Sequence, residues 1–319
     1  MLLSQMHFIY VSSPHSISIE DDIRELENWE KIWLLRFNAS KCKVLHIDLN
    51  NNPYYEYYLN GTKLGVSEQE KDLGVITSPS LLWNEQIKAS IAKANKNICW
   101  IARNLITREK KVMIAIYKAL IRPHLEYCVQ LWNPVAEHGN WSLILELEGV
   151  QRRFTRLIDE VGILPYSERL DILRLTTLAE RRSRGDLIET FKALNGISCV
   201  GKLFNTGRSG LHLVSKIQKQ SSKVGSLQRD FLPERIIGMW NKLPIEVKMA
   251  ESVNSFKIRL EKFKRDNCDV YIDSGNFWEV SDTVLSKIEG PSYITNKAKH
   301  NEYLKENPYA AKKLFINLK

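Results

Sequence analysis

The chain has 319 residues, 44% hydrophobic and 26% charged, with 46 Lys/Arg against 37 Asp/Glu for a net charge of +9. That composition suits two or three units with real cores, and the basic excess favours polyanionic partners. Five widely spaced cysteines, an odd number, favour reduced thiols over a disulfide framework, and no run of about 20 apolar residues is present to span a bilayer.

Residues 1–11 lack a basic n-region and a small-residue cleavage site, so no signal peptide is expected. Ile23, Leu26, Trp29 and Ile32/Trp33 recur at three and four, which predicts an amphipathic helix over 20–36. Asp21 and Asp22 stand in its first turn, where carboxylates complement the helix dipole. The period then changes to short β-branched and aromatic runs at 43–47, 55–59 and 72–76, separated by turn signals at Asn50–Pro53 and Asn60–Gly61. These predict a small antiparallel sheet with a hairpin at Asn60–Gly61.

After Pro79 the pattern is helical. Ile87, Ile91, Ala94, Ile98, Ile101 and Leu105 form a narrow apolar seam, with Lys88, Lys93, Lys96 and Arg103 off it. A second helix carries Val112, Ile116 and Leu120 until Pro123 kinks or restarts it. From Lys88 to Arg122 there are nine Lys/Arg, including Lys110, Lys111 and Lys118, against the single acid Glu109. Val150, Phe154 and Leu157/Ile158 mark a further helix whose other side bears Arg152, Arg153 and Arg156. Leu170 to Leu178 leads into Arg181–Arg184 and an apolar row from Leu187 to Leu194, with Gly196 as a stop. Residues 201–229 hold six Lys/Arg and no Asp or Glu, the composition of a basic connector. Helical patterns return at 231–240, 252–263, 280–288 and 299–305.

Adjacent helical side chains diverge by about 100°, so Asp21 and Asp22 make a poor pair for cations, and no metal is assigned to them. His124 and Cys128 are four apart, but no second pair stands near them, and they read as a packed thiol and an imidazole. Trp100, Tyr117, Tyr127, Trp132 and Trp141 offer rings for base stacking, although most sit on apolar faces and read as core. Phosphate-loop, dinucleotide and nucleophile-elbow motifs are absent, which removes hydrolase and nucleotide-fold readings.

Several landmarks stand in a fixed order: Trp29, Trp33, the run Arg36–Lys43, Glu70–Val75, Tyr117, Arg122–Tyr127, Leu147–Arg153, Arg181–Leu187, Trp240–Pro244 and Ser252–Lys257. Over roughly residues 9–262 the series resembles the C-terminal half of a non-LTR, jockey-like retrotransposon reverse transcriptase. The resemblance implies an α+β fold: a partial palm over 1–80 built on the small antiparallel sheet, a helical thumb over 84–195, the basic connector over 196–230, and a small helical C-terminal region over 231–319. It implies that Lys41 matches the lysine near the incoming triphosphate, that Leu73–Gly74 matches the primer grip, and that the basic helices track RNA template and DNA primer. The nucleic-acid-binding residues expected are therefore Lys43, Leu73, Gly74, Lys88, Lys93, Lys96, Arg103, Lys110, Lys111, Lys118, Arg152 and Arg153. The alternatives, a solvated bundle face and arginines paired with nearby Asp159, Glu160, Glu180 and Asp186, stay open.

The Tyr/Phe-Ala-Asp-Asp box that holds the family's Mg²⁺ does not occur in this sequence. The expectation is accordingly a truncated polymerase, intracellular in nucleus or cytoplasm, with no cofactor of its own and no membrane contact. Its partners would be nucleic acid and the missing polymerase half. A helical protein-binding adaptor and a poorly folded relic are the competing expectations.

Overall fold

The computed structural model of the protein describes residues 19–47, 55–135, 140–204, 216–218, 231–266 and 279–289. It is an α+β structure, mainly helical with small two-stranded ladders. The chain divides into two compact units, Met1–Lys88 and Ala89–Lys319, and the division falls within a single helix.

The first unit opens with α1 (Ile19–Trp33). Asp21 and Asp22 lie exposed in its first turn, and Asp21 pairs with Arg24 at 3.2 Å, as helix-start carboxylates do. Among the described residues six short strands follow: β1 (Lys43–Val44), β2 (Tyr58–Leu59), β3 (Thr62–Lys63), β4 (Gly65–Val66), β5 (Glu70–Asp72) and β6 (Val75–Thr77). The expected single antiparallel sheet is corrected here. Among the described residues there are three separate ladders, and one of them, β1 with β4, is parallel. The cause is local: two-residue turns can close only antiparallel hairpins, whereas β1 meets β4 after the intervening hairpin has reversed the chain.

The Asn60–Gly61 hairpin forms as expected. Both residues take positive φ (50° and 72°), the geometry of a type I′ turn, joining β2 to β3 with Leu59 opposite Thr62. Helix α1 supplies its tether. Glu27 Oε1 accepts the Asn60 N–H at 2.6 Å, and the buried Glu30 accepts from Asn60 Nδ2 at 2.7 Å. Leu45, Ile47, Leu59, Val75 and Trp83 are the buried apolar residues of this region.

Helix α2 (Asn84–Asn104) buries Ile87, Ala94, Ile98 and Ile101, four of the six predicted seam positions; Ile91 and Leu105 are half-buried. The next helix departs from expectation. α3 (Lys110–Ile116) widens into a π turn at Tyr117–Ile121 before α4 (Arg122–Glu126), where Pro123 sits in the first turn. Proline cannot donate to the preceding turn and crowds it, and a π turn absorbs that misfit. The buried row is Met113, Tyr117, Ile121 and Leu125, all 0% exposed, rather than Val112, Ile116 and Leu120. Steps of four drift by about 40° each in a regular α-helix; the wider turn keeps this row facing the core.

The second unit continues with α5 (Val129–Trp132), α6 (Trp141–Thr155), α7 (Tyr166–Leu173) and α8 (Leu178–Leu194). α8 starts on a capping residue, with Thr177 Oγ1 accepting the Glu180 N–H at 3.2 Å. It stops at Gly196, as predicted: the glycine takes φ +70°, and the Ile197 N–H reaches back to Lys192 O at 2.9 Å.

α9 (Leu232–Arg235), α10 (Ile237–Lys242), α11 (Ile245–Lys248) and α12 (Val253–Asp266) pack with α8 around Phe191, Trp240 and Phe256. Phe191 stacks on Phe256 at 4.5 Å. Phe204 and Ile217, from the stretch expected to be a connector, are buried in the same core. Ile217 exchanges two backbone hydrogen bonds, both 2.9 Å, with the Asn241 side chain. The core thus runs on from α8 into α9–α12 through that stretch. α13 (Glu279–Glu289) corresponds to the pattern at 280–288 and caps α7, with Glu289 accepting the Ser167 N–H at 2.6 Å. The expectations at residues 1–11, Asn50–Pro53, most of 205–230 and 299–305 lie outside the described residues.

Candidate nucleic-acid interface

Lys93, Lys96, Cys99, Trp100 and Arg103 of α2 are all exposed. At about 100° per residue they share an arc of about 120° on the helix, in the order Cys99, Arg103, Lys96, Trp100, Lys93. The buried Ala94, Ile98 and Ile101 hold the opposite side. Both borders of the arc are tied down. On one border Asn95 Oδ1 accepts from Arg153 of α6 at 2.6 Å. On the other, Asn97 Nδ2 donates to Leu120 O at 2.8 Å and lies 3.1 Å from His124 Nε2. Three cations therefore lie on a helix held on both flanks, along about 15 Å of its axis.

Other expected residues fall elsewhere. Lys88 is exposed but pairs with Glu85 at 3.3 Å. Lys110 and Lys111 open α3, a position where the helix dipole repels cations. Glu109 stands at the N-cap directly before them, the one acid at this helix start. Lys118 is exposed on the π turn. Arg153 is exposed, while Arg152 is half-buried, its backbone oxygen accepting from Arg169 at 2.9 Å.

In the first unit Lys41 is exposed at the end of the 3₁₀ turn Ala39–Lys41, and Lys43 pairs with Glu70 at 3.5 Å. Leu73 and Gly74 are the two turn residues of the β5–β6 hairpin, with φ of 45° and 90°, and Leu73 is 84% exposed. The tight turn expected at this glycine is present. Nothing places these four residues with the α2 arc.

Of the candidate stacking rings, Tyr117 and Trp132 are core, and Trp141 is half-buried with Lys287 Nζ 4.8 Å above its ring. Trp100 and Tyr127 are exposed at 61% and 54%. Trp100 was readable as an outward residue, since it lies between Ile98 and Ile101 of the seam and so off their face.

Around the arginine-rich strings most of the polar side chains find partners within the chain. Gln151, beside Arg152, is fully buried; it accepts from the Tyr117 hydroxyl and donates to the Tyr166 hydroxyl at 2.8 Å and to Thr176 O at 3.0 Å. Tyr166 donates on to the buried Glu148, which also accepts the Leu178 N–H at 2.9 Å. Arg182 donates to Asn133 and Asn133 to Asp186, each at 2.9 Å. Arg235 grips Asp186 through two bonds of 2.9 and 2.8 Å with both side chains almost wholly buried.

Burial raises the Glu148 carboxyl above its ordinary range, although Tyr166 and the charge of Arg182 pull the other way. Burial, reinforced by Glu148, also pushes both tyrosine hydroxyls well up. Desolvation lowers Arg182. The acids near in sequence are mostly not the partners. Arg181 pairs with Glu126, Arg184 with Glu261 at 2.6 Å, and Glu180 with Lys264. These strings build the second unit's interior, and only Arg153 among them borders the α2 arc.

Among the described residues no group of three His, Cys, Asp or Glu side chains could hold a metal ion. The described acids offer no such group, so no metal-dependent step is derived. No described helix is long and apolar enough to cross a membrane.

No protein-family profile matches the chain, and no solved structure matches it. In sequence it is similar to the RNA-directed DNA polymerase from mobile element jockey of Drosophila funebris, 26% identical over 145 residues. The match covers 42% of this chain and 15% of that protein, so the chain spans a small part of its relative's length. The similarity relates the chain to a retrotransposon reverse transcriptase.

Proposed function

We propose that this chain is part of a retrotransposon RNA-directed DNA polymerase that binds RNA template and DNA primer and does not copy a template by itself. In this reading α1 and the short ladders are late palm and α2–α8 are thumb. The helices α9–α13 belong to the C-terminal region. Copying requires two Mg²⁺ ions held by aspartates, which a further polymerase segment would bring. The protein would act in the nucleus or cytoplasm.

The observation that carries the reading is the outward arc of α2 over residues 93–103, three cations with no acid among them, on a chain similar to the jockey polymerase. Lysines and arginines in a row suit backbone phosphates rather than base edges. The two lysines opening α3 add two further cations to the stretch after α2, against the single acid Glu109 at the N-cap.

Salt-titrated binding to an RNA/DNA template–primer tests the reading. Replacing Lys93, Lys96 and Arg103 together by alanine should lower the slope of log affinity against log salt by about two to three. With Mg²⁺ and nucleotides the purified chain should incorporate nothing. Template-dependent incorporation, or affinity indifferent to salt, defeats it.

A second reading, a protein-binding adaptor, draws on the end of α1, where Trp29, Ile32, Trp33 and Leu34 are exposed at 38%, 74%, 63% and 85%. An exposed apolar cluster of this kind marks a contact surface. Tight protein binding undiminished in high salt would favour it.

A further inference from the structure

We infer that the outward face of α2 takes unpaired nucleic acid, with Trp100 stacking on a base while Lys93, Lys96 and Arg103 hold the neighbouring phosphates. The inference rests on the nucleic-acid reading above and deepens it by choosing single strand over duplex.

Three features of the face make that choice. Trp100 lies between Lys96 and Lys93 in the arc and is 61% exposed, whereas Ile98 and Ile101 on either side of it in sequence are buried. The largest apolar ring of the helix is thus set among its cations rather than in the core. A duplex presents phosphates and sugars to such a face but keeps the flat sides of its bases stacked inside, so an indole there finds nothing to stack on. An unpaired base offers that flat side, and stacking on it is tolerant of sequence. Lysine and arginine within one helical turn of the ring supply the charge that a lone exposed tryptophan lacks, and Arg103 presents a planar guanidinium of its own. Finally, the helix is held from both flanks through Asn95 and Asn97, so the ring and cations keep their spacing without a ligand.

Cys99 provides a reporter within the face. It is a free, exposed thiol in the same arc, and Cys199 is a free, exposed thiol outside it. The experiment measures binding of the full chain to an unstructured single-stranded RNA of about a dozen nucleotides and to a duplex of the same sequence. Maleimide labelling of Cys99 and Cys199 is followed by peptide mapping in parallel.

The single strand should bind more tightly and should shield Cys99 while leaving Cys199 reactive. Trp100→Ala should weaken single-strand binding by about ten-fold, leave duplex binding unchanged, and leave the salt slope as it was, because no charge is removed. Trp100→Phe should keep most of the affinity. Equal binding of both forms, or a Trp100→Ala chain that binds the single strand as well as the parent does, overturns the inference and leaves the nucleic-acid reading standing. Failure to bind either form, with Cys99 unprotected, overturns the nucleic-acid reading itself.

Discussion

Glu148 shows how a residue's chemistry follows from its surroundings. Its carboxyl is fully buried between the Tyr166 hydroxyl and the Leu178 N–H, and desolvation raises its pKa in the folded chain. The folded state therefore holds the proton at pH values where the unfolded chain has lost it. The stabilisation is complete below the unfolded carboxyl's pKa and is lost as pH rises through the higher folded value. Urea unfolding of the parent and of Glu148→Gln across the weakly acidic range checks this. The parent should lose stability relative to the variant as pH increases, and the opposite trend would remove the assignment. Asp186, equally buried, has a different environment because Arg235 grips both its oxygens. Asp186→Asn leaves that guanidinium without its countercharge and should cost about 3–5 kcal/mol, read as a lower denaturation midpoint. The exposed Lys88–Glu85 pair should contribute only about 0–1 kcal/mol.

Among the elements, the two hairpins of the first unit invite comparison. Asn60–Gly61 and Leu73–Gly74 adopt the same pair of positive φ angles, but leucine in that region costs about 1–2 kcal/mol that asparagine largely avoids. Leu73→Asn should accordingly stabilise the β5–β6 hairpin by about 1 kcal/mol, seen as slower hydrogen exchange at Val75. If the side chain of Leu73 contacts nucleic acid, the same change will lower affinity; unchanged affinity would leave only the turn's backbone as a contact. The two turns also mark how much was readable. Asn-Gly is a local signal with a local structure, so the first hairpin was predictable. Parallel pairing of β1 with β4 was not, because it depends on where a distant strand arrives. The π turn was half readable: Pro123 announced a disturbance, but whether the helix would break or widen depended on keeping Tyr117 and Ile121 in the core.

At the scale of the molecule, Leu187 and Phe191 of α8 share a core with Trp240, Phe256 and Leu260 and with Phe204 and Ile217 from the basic stretch. Composition alone set that stretch apart, since charge content says nothing about which few apolar residues within it become buried. Trp240→Ala, emptying a fully buried site, should cost about 3–5 kcal/mol. It should speed hydrogen exchange in α8 and α12 together; acceleration confined to α10–α12 would show two separately unfolding parts.

The amino-acid order by itself determined the helices with a clear apolar seam, the Asn60–Gly61 and Gly196 stops, the basic run of 88–122 and the likeness to a reverse transcriptase. Each of these depends on neighbours a few residues away or on the order of landmarks. Only the tertiary structure decided that Gln151, Arg182 and Asp186 are interior residues and that Arg181 and Arg184 find acids more than fifty residues away. A charged group's role depends on whether folding takes water away from it and what it meets instead, and distant parts of the chain supply both.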